Sequence, residues 1–483
     1  PGAILVDGGD SWQGSATALW TRGADMVAAS KLLGVKVMTG HWEFTLGAER
    51  VMELIQHDMQ GSIDFIAHNV FTRDFGDRVF SPFVIKEING HVDRNHWALV
   101  KRCEVPDDVE VLPSVWSMQQ KRNLTTGAVA KHKAQLNLHG GKQEYGINYY
   151  ETYAPVVTWF AIRLLIVFGL LFGWALRQVD FIMAYPQAPI EMDMFMELPQ
   201  GIVVKGANSK DHVLKLLANI YGQKQAGRVW NAFLVEKLRE IGFTPSLVDD
   251  CVFYRGDIIF IVYVDDGIFL GPNDTAISGV ITELLNLQLD IKDQGHPADY
   301  VGVAIKRLRD GSLELSQCAL IDTIIDDAKL DDAKVKRVPA KVKEHLHAHL
   351  NKPPYALDMS YRSAICKLNY VGQTSRPEIM YAVHQLAKYS SDPREPHSEA
   401  LIYLIRYLKL TRDIGLRFSP NSNRGFDCYA DADFAGNWNR ALAPHDPSTA
   451  KSRSGWIVFY AGCPIIWASK LQSMVALSTT EAE

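Results

Sequence analysis

Cysteine is scarce in this chain: six in 483 residues, at positions 103, 251, 318, 366, 428 and 463, with no Cys-x-x-Cys pair among them. They read as reduced intracellular thiols rather than as a disulfide framework. Long apolar runs are missing as well. The run LLIVFGLLFGWAL over 164–176 is thirteen residues, bounded by Arg163 and Arg177. That is too short to span a bilayer, so it reads as a buried helix and no membrane partner is expected. No signal peptide, transmembrane run or short-period repeat stands out, which points to an intracellular site, a cytoplasmic particle or the nucleus. Positive charge is not in excess either: 50 Lys and Arg face 55 Asp and Glu, a net charge of −5. Any groove for nucleic acid must therefore be basic locally. What is present is 47% hydrophobic residues and enough length for about three domains.

One motif stands out against that background. Tyr263-Val264-Asp265-Asp266 follows Ile258-Ile259-Phe260-Ile261-Val262 and precedes Gly267-Ile268-Phe269-Leu270. Apolar runs on both sides of two acids read as a β-hairpin with carboxylates at its turn. Adjacent like charges at such a tip are costly unless a cation neutralises them, so a divalent metal pair is one reading and a solvent-exposed turn the other. The pairs Asp107-Asp108, Asp249-Asp250, Asp326-Asp327 and Asp331-Asp332 lack those flanks. A third acid, Asp180 in QVDFIMAY, again lies in an apolar strand, where a charge needs a partner. Three carboxylates suffice for two ions that position a primer 3′-hydroxyl and a triphosphate for in-line displacement.

Five ordered stretches carry a family resemblance: NHWALVKR (95–102), KHKAQLNLHGGKQEYGINYYETYAPVVTW (131–159), QVDFIMAYPQAPIEMDMFMELPQGI (178–202), NIYGQKQAGRVWN (219–231) and IVYVDDGIFLG (261–271). Residues 94–340 resemble the reverse transcriptase of copia-type LTR retrotransposons. The resemblance implies a right-hand polymerase of fingers, palm and thumb, with Asp180, Asp265 and Asp266 as palm aspartates holding two Mg²⁺ or Mn²⁺ ions. It makes Tyr185 the aromatic gate against a ribose 2′-hydroxyl and places Gln225 at the incoming nucleotide or template. Lys121, Arg122, Lys131 and Lys133 fall in the fingers, where contact with phosphates and a solvated surface are equally open readings. One departure matters: the family has Lys-Ala-Arg-Leu where this chain has Lys133-Ala134-Gln135-Leu136. Glutamine cannot grip a triphosphate as a bidentate cation does, so weaker nucleotide or template binding is expected.

The flanks read differently. Residues 361–410 resemble the connector between polymerase and nuclease, and the charged stretch 329–345 reads as a flexible joint. FDCYADAD (426–433), SGWIVFYAG (454–462), CPIIWASK (463–470) and LSTTEAE (477–483), with Ser478 and Glu481 at capping-box spacing, resemble the opening of a retroelement RNase H. There Asp431 maps onto the first catalytic aspartate and Glu483 onto the helix glutamate, with Glu481 as its near alternative. The nuclease is cut short, and no RNase H activity is expected. At the other end, ILVDGGDSWQGSATALWTRGADM (4–26), VKVMTGHWEF (35–44) and IDFIAHNVF (63–71) alternate strand and helix. They resemble the metallophosphoesterase half of 5′-nucleotidases, above all the Sox-pathway thiosulfohydrolases, with Asp10 bridging two metals and His41 binding one. The remaining ligands are not found, so this piece is expected to be inert. The chain opens on Pro1 and closes inside a helix pattern, as a piece of a longer or fused protein would.

The expectation is thus an α+β and α/β multidomain chain. It comprises a partial α/β metallophosphoesterase fragment (1–92), a right-hand polymerase (93–340), a connector (341–425) and a partial RNase H-like fold (426–483). Its function would be RNA-directed DNA synthesis, with an RNA or DNA template-primer and dNTPs as partners and the oligomeric state open. The alternatives are a catalytically inactive transposon remnant, a hydrolase acting through residues 1–90, and a protein that only binds nucleic acid.

Overall fold

The structure, a computed structural model, describes residues 5–7, 24–33, 35–39, 48–59, 62–66, 86–122, 129–199, 210–341, 345–349, 351–444 and 446–483. Its mixed α/β chain divides into two compact units, one of Pro1–Gln119, His132–Tyr153 and Tyr185–Val229, the other of Gln120–Lys131, Ala154–Ala184 and Trp230–Glu483.

In the first unit, β1 (Leu5–Asp7), α1 (Ala24–Leu33), β2 (Val35–Thr39), α2 (Ala48–Glu53) and β3 (Asp64–Ile66) follow in order. The three strands pair in parallel as β1-β2-β3. Parallel neighbours need a crossover, and the intervening helices supply it. Val27, Val35, Met38, Val51, Leu54, Met59 and Ile63 form the core of this segment. Next come α3 (Lys86–Asp93), β4 (Trp97–Lys101), β5 (Val111–Leu112), β6 (Ser114–Arg122) and β7 (Val129–Leu138). After α4 (Trp159–Phe172), β8 (Ala175–Phe181) and the single turn α5 (Ala184–Gln187), strands β9 (Phe195–Met196) and β10 (His212–Leu216) complete a four-stranded sheet, β4-β10-β9-β5. Ile88 of α3 packs into the core of this sheet with Leu112, Leu136, Met196 and Leu214. At Gly222 (φ +87°) a Cβ would lie 2.1 Å from the carbonyl oxygen of Leu138. Two backbones meet there with no room for a side chain.

The second unit is built on a six-stranded sheet, β11-β12-β13-β14-β8-β15. Helix α6 (Ala226–Glu240) leads to β11 (Thr244–Pro245), β12 (Val252–Arg255), β13 (Ile258–Tyr263) and β14 (Asp266–Gly271), then α7 (Asp274–Asn286) and β15 (Ile291–Gly295). Buried Phe181, Phe253, Phe260 and Phe269 fill its centre, with Phe260 and Phe269 stacked at 4.2 Å. Each such burial contributes about 1.5–3 kcal/mol. A second sheet, β16 (Asp299–Tyr300), β17 (Val303–Arg307), β18 (Leu313–Ser316) and β19 (Leu416–Phe418), is interrupted by four helices, α8 (Cys318–Asp327), α9 (Tyr361–Thr374), α10 (Met380–Ala387) and α11 (Glu395–Leu410). The helices share one core around Leu368, Val371, Val383, Leu401 and Leu404. A final antiparallel sheet, β20 (Phe426–Ala432), β21 (Arg453–Tyr460) and β22 (Cys463–Leu471), precedes α12 (Thr479–Ala482).

Two expectations change. The helix expected over 164–176 runs from Trp159 to Phe172 instead. Thr158 caps it, accepting from the Ala161 N–H at 3.2 Å, and Gly173 at φ +64° ends it. Residues 175 and 176 already belong to β8. The stretch read as a flexible joint over 329–345 is pinned along its described part. Lys409 donates its ammonium to the carbonyls of Leu330 and Ala333, both at 3.1 Å, and the Lys336 N–H donates to the Arg406 carbonyl at 3.1 Å.

Candidate active site

Asp180 lies near the end of β8 and Asp266 opens β14, and the two strands pair antiparallel with Asp180 directly opposite Asp266. The N–H of Phe181 donates to the carbonyl of Asp265 at 2.8 Å. Hydrogen-bonded and non-hydrogen-bonded pairs alternate along such a ladder. Asp180 and Asp266 therefore form a non-hydrogen-bonded pair, in which Cα atoms lie about 4.5 Å apart and side chains share a face. Asp180, Asp265 and Asp266 are all half-buried. Like charges placed directly opposite on one face of a sheet are destabilising. On its other side β8 pairs with β15, which sets Lys292 opposite Asp180. Sequence reasoning missed Lys292, because its place depends on strand register.

Tyr263 pairs with Asp266, leaving Val264 and Asp265 as the two turn residues. Val264 has φ +58°, a left-handed conformation that costs a β-branched residue roughly 1–3 kcal/mol. The surroundings hold it there. The indole N–H of Trp230 donates to the Val264 carbonyl at 2.7 Å, and Trp230 is 1% exposed, edge-on to Phe181 at 5.2 Å. On the other flank the Tyr300 hydroxyl donates to the Asp266 carbonyl at 3.2 Å. Burial first, then the Asp266 carboxylate, raises the Tyr300 pKa well above its ordinary value, so the phenol stays a donor. Gly267 follows because nothing larger fits: a Cβ would lie 2.5 Å from Cε2 of Phe260. Cys251 in the adjoining β11–β12 connection is pushed up to about 12 by burial and then by Asp249 and Asp250, which keeps it an inert thiol.

Three carboxylates on adjoining backbone, with no soft ligand beside them in the motif, suit a hard dication such as Mg²⁺ or Mn²⁺. Among the described residues no three His, Cys, Asp or Glu side chains converge closely enough to hold an ion. The fit is thus one of donor type and strand register, with side-chain rotation left to close the site.

The other expected residues fall elsewhere. Tyr185 sits on α5 in the first unit, its ring 4.9 Å from that of Tyr221, and Lys133 lies over the same Tyr221 ring at 5.9 Å. Gln225 is 3% exposed. Its Oε1 accepts from Gln143 at 3.0 Å and its Nε2 faces Met194 Sδ at 3.4 Å, so the amide is spent inside the fold. Lys121 lies in β6, its side chain outside the described set, and Asp10 and His41 also lie outside the described residues. Asp431 is exposed on β20 opposite Gly455. In the last helix Ser478 Oγ accepts from the Glu481 N–H at 3.1 Å, and the Glu481 carboxylate accepts from the Leu477 N–H at 2.7 Å. Glu483 is exposed at its end. No described helix is long and apolar enough to cross a membrane.

Residues 94–342 match the family described as reverse transcriptase (RNA-dependent DNA polymerase). The chain is 32% identical over 402 residues to a retrovirus-related Pol polyprotein from an Arabidopsis thaliana transposon, covering 82% of this chain and 26% of that protein. It therefore spans about a quarter of that relative's length. Among solved structures, a foamy viral protease–reverse transcriptase in complex with double-stranded DNA is similar at 12% identity and a TM-score of 0.44, over 83% of this chain and 58% of the other. A sulfate thiohydrolase from Thermus thermophilus is similar at 42% identity over 16% of this chain and 14% of the other, with a TM-score of 0.15.

Proposed function

Because the chain belongs to the reverse transcriptase (RNA-dependent DNA polymerase) family, we propose that it is the polymerase of a copia-type retrotransposon Pol polyprotein. It would extend a primer on an RNA or DNA template with dNTPs. The observation that carries this reading is the close pairing of Asp180 with Asp266 beside a turn strained at Val264. A fold that merely needed a hairpin would gain by relieving both features, and strain of this kind persists where the surroundings over-determine it.

In this reading the six-stranded sheet is the palm. Asp180, Asp265 and Asp266 would hold two Mg²⁺ or Mn²⁺ ions. When bound, the ions supply Lewis-acid activation of the primer hydroxyl and neutralise the charge of the leaving pyrophosphate. The chain's own residues fix the stage. Trp230 and Tyr300 bond the carbonyls on either side of Asp265, so the turn that presents the acids is held from both flanks. Lys292, opposite Asp180 in the β8–β15 register, would place a positive charge beside the acids. Tyr185 would screen the ribose 2′-position, and Lys121 and Lys133 would contact phosphates. Gln225 would act indirectly, bracing the loop at Gln143.

Primer extension on an RNA template with the full chain, dNTPs and Mg²⁺ or Mn²⁺ tests the reading. Extension abolished by the Asp265→Asn/Asp266→Asn double substitution supports it. Extension that survives the substitution overturns it. A second reading, a decayed element with an intact fold, is favoured by Gln135, half-buried on β7 where the family carries arginine. Restoring the charge with Gln135→Arg should lower the KM for dNTP by about tenfold, the worth of one charge-assisted pair. An unchanged KM would remove Gln135 from the argument.

A further inference from the structure

Arg163, on the buried face of α4, is 3% exposed, yet among the described residues no carboxylate pairs with it. Its Nε donates to the carbonyl of Ile465 at 2.7 Å. Its Nη1 donates to the carbonyls of Gln373 at 2.8 Å and Thr374 at 3.0 Å. The guanidinium lies 3.9 Å from the ring centroid of Trp467, and the Trp467 indole donates to the Gly372 carbonyl at 2.9 Å. Burial lowers the pKa of this guanidinium to about 9. Phe168, five residues further along α4, meets Tyr460 edge-on at 5.6 Å. One side chain therefore joins α4, the end of α9 and β22 at a dry point. A buried cation is kept there only because its donors are satisfied by carbonyls and an aromatic face.

The next contact leads to the acids. On α4 a Cβ at Gly169 would lie 3.1 Å from Leu176 of β8 and 3.4 Å from Leu270 of β14. Those are the two strands that carry Asp180 and Asp266. We infer that the β20–β22 sheet is an integral support of the polymerase body rather than a tethered nuclease remnant, with Arg163 as the positioning residue that ties it to the helix behind the catalytic strands. A tethered remnant would meet the rest of the chain through its connector, not through a dehydrated arginine on a palm helix.

The test uses the full chain and its variants Arg163→Met, Arg163→Lys and Trp467→Phe. Hydrogen exchange is followed by mass over 159–181 and 463–471, alongside steady-state primer extension. The expected result is reciprocal. Arg163→Met raises exchange by about tenfold in β22 as well as in α4 and β8, in keeping with the loss of a buried charged donor. Trp467→Phe, a milder change on the sheet, raises it in α4 and β8. Arg163→Lys restores part of the protection, because an ammonium reaches fewer carbonyls. The extension kcat falls with the loosening while the KM for dNTP stays put. Exchange changes confined to the substituted element would overturn the inference, as would a loosened β8 with unchanged kcat. Only the kinetic arm rests on the proposed function: a wild-type chain without extension activity would count against that reading, while the reciprocity of exchange would still decide the docking.

Discussion

Val264 shows at the scale of one residue what the motif cannot. The letters Tyr-Val-Asp-Asp suggest acids at a turn, but not that the valine bears the left-handed conformation or that Trp230, more than thirty positions earlier in the chain, holds its carbonyl. The aspartates were legible because charge inside apolar runs is conspicuous. Lys292, Trp230 and Tyr300 were not, because each reaches the site through register or packing. Two substitutions measure these contacts. Trp230→Phe keeps an aromatic side chain but removes the indole donor to the half-buried Val264 carbonyl, and should lower stability by about 1–3 kcal/mol in urea unfolding. An unchanged midpoint would mean that the turn is held otherwise. Gly267→Ala drives a methyl into Phe260 and should cost about 1–3 kcal/mol through overpacking. If it proves neutral, the Phe260 ring can move aside and the spacing of the hairpin is less tight than its geometry indicates.

At the scale of elements, the apolar run over 164–176 announced burial but not where helix gives way to strand. Burial on both faces removes periodicity, and the change falls at Gly173 inside one continuous run. The charged stretch from 329 read as a joint because nothing local shows that Lys409 would bind its carbonyls. The start of α11 carries a pH dependence of the same hidden kind. His397 is fully buried. Its Nδ1 accepts from the Arg394 N–H at 2.8 Å and its Nε2 donates to the His347 carbonyl at 2.7 Å, which fixes the neutral tautomer. Tyr389 stacks on it at 4.1 Å. Burial chiefly lowers its pKa from 6.5; the His347 carbonyl bond pulls next, upward, and His349, Asp392 and Arg394 contribute less, downward, upward and downward in turn. The unfolded chain therefore takes the proton first. This stability is complete above about pH 6.5 and is lost as pH falls toward the folded-state value. Urea midpoints between pH 8 and pH 5 should drop on the acid side, with a shallower drop in His397→Gln. Equal slopes for the two proteins would assign the acid sensitivity to other groups.

Over the whole molecule the net charge of −5 gives no hint of a nucleic-acid partner. The family emerged instead from five ordered stretches whose combined order carries more information than bulk composition. The candidate site concentrates that negative balance locally, and this gives a prediction independent of turnover. Without a dication, Asp180 and Asp266 oppose each other across a close pair, so the fold carries their repulsion. An ion bound by the native chain but not by the unfolded one stabilises it by about 2.7 kcal/mol at a hundred times its Kd. Thermal unfolding of the full chain should therefore shift upward with Mg²⁺ or Mn²⁺ and return on chelation. The Asp265→Asn/Asp266→Asn chain should start more stable in the absence of ions and respond to neither metal. A wild-type chain indifferent to both ions would mean that the carboxylates, correctly placed in register, do not close into a site, and the decayed-element reading would then gain over an active polymerase.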